Sequence, residues 1–156
     1  MVQRHGEAVP GLAAFGLTHT FPPAERLAAG DLGGLGLTQA RMRAIGAFAA
    51  AVAAGEVRLD HSLGLDQLEA SITALPGLGP WTAQYIAMRM GERDAFPAGD
   101  LGLQRSLANR TPTPSKSLPE LAERWRPWRA TAAVHLWAAD PVGSRQPACY
   151  QGSCDR

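Results

Sequence analysis

The segment Leu75-Pro76-Gly77-Leu78-Gly79-Pro80-Trp81-Thr82-Ala83 constrains this chain more than any other, because it stops one helical pattern and starts another within a single turn. Upstream, Leu65, Leu68, Ile72 and Leu75 recur at steps of three and four, the spacing of one buried helical face. Downstream, Pro80 suits a first helical turn, where its missing amide hydrogen has no intrahelical partner, and Trp81 to Met90 contains no breaker. Gly77 and Gly79 permit left-handed backbone and carry no side chain over the turn, so the amides that open the second helix can approach an anion. Such a turn holds a phosphate without lysines. The same residues also fit a plain tight αα-turn that uses Gly and Pro for geometry alone.

The rest of the chain reads as helices punctuated by Gly and Pro. Met1 to Pro23, with Pro10, Gly11, Gly16, Pro22 and Pro23, reads as irregular coil, a continuation rather than a beginning. A short helix is expected over Ala24 to Ala29, and Gly30, Gly33, Gly34 and Gly36 then break the chain. Thr38 as N-cap opens a longer helix to Ala54, with Met42, Ile45, Ala49 and Val52 as its buried face and Gly55 at its end. Asp100 stands where an N-cap would stand for a helix from Leu101 to Ala108. Thr111 to Ser117 is a linker, Ser117 with Pro119 starts a helix through Trp125, and Pro127 restarts the chain for a last helix from Trp128 to Ala139. No alternating strand or internal repeat is visible, so the expected class is all-α, with residues 1–140 as one helical domain and 141–156 as a flexible tail.

Composition narrows the function. With 156 residues, 46% apolar and 19% charged, the chain has one domain's worth of core, and no apolar run reaches the roughly 18 residues of a membrane span. No secretory signal opens it, so a cytoplasmic location is expected. Cys149 and Cys154 are too few for a four-thiolate zinc site or a cysteine-held cluster, and that compartment argues against a bridge between them. Fifteen basic residues against fourteen acidic give a net charge of +1, so any contact with nucleic acid must come from local geometry. Lys116 is the single lysine. No zinc, flavin, nicotinamide or nucleotide-phosphate motif is present, so no cofactor is implied.

The hairpin over Leu75 to Ala83, Asp100 about twenty residues on, the run Arg124-Trp125-Arg126-Pro127-Trp128-Arg129 and the later His135-Leu136-Trp137 together resemble the helix-hairpin-helix DNA glycosylases, and within them DNA-3-methyladenine glycosylase II. The resemblance covers roughly Phe21 to Asp140. It implies a helical bundle of that type without the family's N-terminal α/β domain and first helical segment, of which Val2 to Glu7 resembles only the end. The absent segment is where the family carries the residue that wedges into the duplex, and an upstream polypeptide would supply it. The activity implied is excision of alkylated purines such as 3-methyladenine from double-stranded DNA in base-excision repair, by a protein that associates with the nucleoid when it acts. The alternatives are a non-catalytic helix-hairpin-helix module that grips the DNA backbone, and an inactive or unstable fragment of such an enzyme.

An enzyme that removes a base must take the nucleotide out of the stack and hold it in a pocket. An alkylated purine is cationic, so the pocket needs aromatic faces, and positive charge grows on the sugar as the bond breaks, so a carboxylate belongs beside it. Trp81 and Tyr85, four apart on one helix, project from the same side, and the resemblance places Trp137 opposite them. As residues alone, all three also fit a core. The resemblance makes Asp100 the catalytic carboxylate, against the plainer reading of a helix cap. Leu75, Gly77, Leu78, Gly79, Trp81 and Thr82 would bind DNA phosphate, with a monovalent cation bridging hairpin carbonyls and phosphate as the one metal implied. Strand-nicking relatives carry a lysine nucleophile where this chain has Trp81, so a monofunctional enzyme is expected. Arg41, Arg43, Arg89 and Arg93 read as solvated faces more than phosphate contacts, Arg124, Arg126 and Arg129 fit structural pairing as well as DNA, and His135 is given no catalytic role.

Overall fold

The computed structural model describes residues 1–108 and 118–139. All regular structure among them is helical, apart from one isolated antiparallel bridge between Ala8 and His19. The described residues divide between Gly79 and Pro80 into two compact units. Lys116, Cys149, Cys154 and the 141–156 tail lie outside the described residues.

The first unit departs from expectation at its beginning. Residues expected as coil form a short helix, α1 (Val2–His5), and a 3-10 helix over Pro10–Phe15. Non-local pairing organises them: Val9 N donates to Thr18 O at 2.8 Å, Thr20 N donates to Glu7 O at 2.8 Å, and Arg26 bonds both His5 O and Glu7 Oε1 at 3.1 Å. Such contacts leave no hydrophobic period to read.

Beyond them come α2 (Ala24–Ala29), α3 (Gln39–Ala53) and α4 (Leu65–Thr73). Thr38 caps α3, its Oγ1 accepting from Arg41 N at 3.3 Å, and Gly55 follows with φ +75°. The packing of α3 corrects the expected face. Ala49 is buried as expected, but the other buried residues are Ala44 and Ala51, whereas Met42, Ile45 and Val52 are only half-buried. Met42 and Ile45 pack against the Leu27, Leu32 and Ala49 cluster between α2 and α3, while Ala44 lies under the loop after α4, where a Cβ on Gly77 would come within 3.3 Å of its methyl. Small side chains are selected where backbone approaches closely, and a scan for large apolar residues passes over them. In α4, Leu68 and Ile72 are buried and Leu65 is half-buried.

The second unit holds α5 (Pro80–Met90), α6 (Leu101–Ala108), α7 (Leu118–Glu123) and α8 (Arg129–Ala138). Ala83 and Ala87, four apart, bury one face of α5. Phe96, Leu103, Leu107, Leu118, Ala122 and Ala133 form the core where α6 packs on α8. Helix α7 stops at Glu123, short of the expected Trp125. There the chain tightens into turns, with Trp125 N donating to Ala122 O at 3.0 Å, ahead of Pro127.

Candidate active site around Asp100

Asp100 sits at the end of the loop that joins α5 to α6, and that loop is held from three sides. Phe96 N donates to Gln84 Oε1 of α5 at 2.8 Å, Gln104 Nε2 of α6 donates to Ala98 O at 3.3 Å, and Ala130 N of α8 donates to Arg93 O at 2.9 Å. Ala95, Phe96 and Pro97 are buried, so the carboxylate is delivered by a fixed segment.

The side chain does cap α6, with Oδ1 accepting from Leu103 N at 3.0 Å. Capping is only part of its environment. Trp137 of α8 donates its indole N–H to the same oxygen at 2.9 Å, and Trp81 of α5 donates to Oδ2 at 2.9 Å. Burial pushes the Asp100 carboxyl up, but donation from Trp137, the Leu103 amide, Trp81 and the Gly102 amide outweighs it and holds the group below its ordinary value. The carboxylate is therefore ionised at neutral pH.

Three aromatic rings surround it. Trp81 and Tyr85 stack nearly parallel, 5.3 Å between centroids and 7° between planes, and Tyr85 meets Trp137 edge-on at 6.2 Å. Trp81 is 43% exposed and Tyr85 38%, so neither behaves as a core aromatic. Four residues singled out from sequence thus lie in one cluster of the second unit, with an anion beside open π faces. A Cβ on Gly102 would stand 2.9 Å from Asp100 Oδ1 and 3.3 Å from Trp137 Cδ1, so a glycine is what lets this tryptophan reach this carboxylate. Sequence reasoning passed over Gly102; a glycine two residues after a cap is the signal that was there.

The hairpin residues Leu75, Gly77, Leu78 and Gly79 close the first unit, and Trp81 and Thr82 open α5 in the second. Gly77 adopts φ +80° and Leu78 N donates to Leu75 O at 3.3 Å. Nothing lies within 4 Å of a Cβ built on Gly79.

The arginines separate by environment. Arg129 and Arg126 both pair with Asp94 and Glu123, and Arg93 lies 5.0 Å over the Trp128 ring. Arg41, Arg43, Arg89 and Arg124 are exposed, as is His135. Among the described residues, no group of His, Cys, Asp and Glu is arranged to hold a metal ion, and no helix is long and apolar enough to cross a membrane.

The fold is that of the 3-methyladenine DNA glycosylases: the Schizosaccharomyces pombe enzyme solved in complex with abasic DNA superposes with a TM-score of 0.68 at 23% identity, over 76% of this chain and 63% of that one. No family model matches the chain. It is 46% identical over 135 residues to the probable bifunctional transcriptional activator/DNA repair enzyme AlkA of Mycobacterium tuberculosis, covering 84% of this chain and 27% of that protein. It is 33% identical over 121 residues to DNA-3-methyladenine glycosylase 2 of Escherichia coli, covering 75% of this chain and 42% of that protein. The chain is homologous to part of each of these proteins and spans between about a quarter and two fifths of their length.

Proposed function

We propose that this chain carries the catalytic part of a monofunctional glycosylase that hydrolyses the N-glycosidic bond of alkylated purines, such as 3-methyladenine, in double-stranded DNA, in the cytoplasm. The observation that carries the reading is the ionised Asp100 carboxylate beside the exposed, stacked Trp81 and Tyr85. A flipped cationic base lies against the aromatic faces of Trp81, Tyr85 and Trp137, which attract it through their ring quadrupoles. The bond from C1′ to the base nitrogen breaks with its electron pair going to the base, which leaves neutral. Asp100 stabilises the positive charge that grows on the sugar, and a water adds to C1′ and loses a proton, leaving an abasic site. Trp81 cannot form a Schiff base, so the strand is not nicked.

DNA is held through its backbone. The first-turn amides of α5, which a helix leaves without intrahelical partners, receive a phosphate, which suits a chain of net charge +1. The Leu75 carbonyl accepts one amide and keeps a second lone pair, so a monovalent cation held there would add attraction for the phosphate while taking no part in the chemistry.

The test is chromatography of free bases released from methylated duplex by the purified chain, with alkali used afterwards to reveal abasic sites. Free 3-methyladenine together with alkali-dependent strand breaks is the expected result. Duplex binding with no base released identifies a backbone-gripping module instead, and borohydride trapping of protein on DNA contradicts the monofunctional mechanism.

A further inference from the structure

We infer that Trp81 and Trp137 are positioning residues for Asp100, each fixing one carboxylate oxygen through its indole N–H. This deepens the excision reading and rests on it. The carboxyl torsion of an aspartate is broad and nearly two-fold, and the backbone amides of the helix cap, with Leu103 N on Oδ1, come from one side of the group only. Two indoles from different helices remove that freedom: Trp137 from α8 on Oδ1 and Trp81 from α5 on Oδ2, both at 2.9 Å. An indole is a rigid donor that cannot become an acceptor, so both bonds favour the ionised form only.

A carboxylate oxygen accepts about two hydrogen bonds. Oδ1 takes the Leu103 amide and Trp137, Oδ2 takes Trp81, which is itself 43% exposed, and the Gly102 amide adds a further donor to the carboxylate. Among the described residues no ion pair involves Asp100, and Tyr85 of α5 is the other titratable side chain of the cluster. Among the described residues, the two tryptophans are the side chains whose hydrogen bonds fix the orientation of Asp100. The role is separate from their ring faces: phenylalanine keeps a face, weaker than that of indole, and has no donor.

Trp81→Phe and Trp137→Phe keep a ring and delete the donor. Asp100 is titrated by carboxyl NMR in the free protein, and base release from methylated duplex is resolved into kcat and KM across pH. Loss of one charge-assisted bond is expected to raise the Asp100 titration by about one unit. The acid limb of kcat should move with it, kcat should fall about tenfold, and KM should stay within about twofold. An unmoved Asp100 titration with a change confined to KM would overturn the inference and leave the tryptophans as stacking faces. If Trp137→Phe fails to fold, Trp81→Phe at the exposed site still decides. Should the parent release no base, the excision reading fails, while the NMR titration still decides whether the indoles hold the carboxylate.

Discussion

Arg129 grips Asp94 with both edges matched, Nε to Oδ1 at 2.8 Å and Nη2 to Oδ2 at 3.1 Å, and its Nη1 also reaches Glu123 Oε1 at 2.9 Å. Both side chains of the pair are mostly buried, 13% and 18% exposed. The contact ties the loop that delivers Asp100 to the helix that delivers Trp137. Arg129→Met strands a largely buried carboxylate with only the more exposed Arg126 beside it. It is expected to destabilise the protein by about 2–3 kcal/mol, read as a lower urea midpoint at constant slope. Arg129→Lys should recover less than half of that, because an ammonium cannot make the paired contact.

Gly102 gives a prediction in which activity falls far more than stability. Alanine in a helix is favoured over glycine by about 1 kcal/mol, which offsets part of the cost of disturbing the bonds to Asp100, so Gly102→Ala should melt only modestly below the parent. The added methyl would stand 2.9 Å from Asp100 Oδ1, and the carboxylate must turn away from Trp137 to admit it. Base release should fall at least about tenfold while duplex affinity holds. Unchanged release from a folded variant would show that this orientation does not matter.

The two hairpin glycines should separate folding from binding. Gly77 has φ +80° and a neighbour 3.3 Å from a built Cβ, so Gly77→Ala is expected to cost about 1–2 kcal/mol of stability. Gly79 has open space around its Cβ position, so Gly79→Ala should melt like the parent. If the turn holds a phosphate by close backbone approach, a methyl at Gly79 weakens duplex binding by about tenfold. Parallel melting curves and DNA titrations of the two variants check both expectations.

Acid should reveal Asp100 in the stability curve. Its folded carboxyl lies below the ordinary 3.8: burial pushes it up, but donation from Trp137, the Leu103 amide, Trp81 and the Gly102 amide prevails. A group with a depressed folded pKa stabilises fully above its unfolded value, and the contribution is lost as pH falls through the folded value. The stability difference between parent and Asp100→Asn should therefore be constant above pH 3.8 and shrink below it, as followed by thermal melts at stepped pH. A difference that stays constant into stronger acid would contradict the hydrogen-bond pattern.

Legibility followed the range of the forces. Local signals were plain: Thr38 before α3, Pro80 in the first turn of α5, Asp100 at the cap of α6 and the four-residue step from Trp81 to Tyr85 are written in neighbouring residues. Contacts between distant residues were not. Arg129 and Asp94 lie 35 positions apart and carry no pattern that links them. The structure around Ala8 and His19 depends on pairing between residues eleven apart in a stretch rich in Pro and Gly, and the burial of Ala44 goes with the close approach of the Gly77 backbone, to which hydrophobic period is blind. At the site, the rings were legible as faces, but where their N–H groups point depends on the packing of three helices.

The most direct measurement is single-turnover release of 3-methyladenine from methylated duplex by the parent chain and by Asp100→Asn, with helical content and duplex affinity measured on both. Asparagine keeps the cap and removes the charge. The expected result is release by the parent and a loss of about a thousandfold or more in the variant, with fold and binding retained. Release by the folded variant at a rate close to the parent's would contradict the assignment of Asp100 as the essential carboxylate.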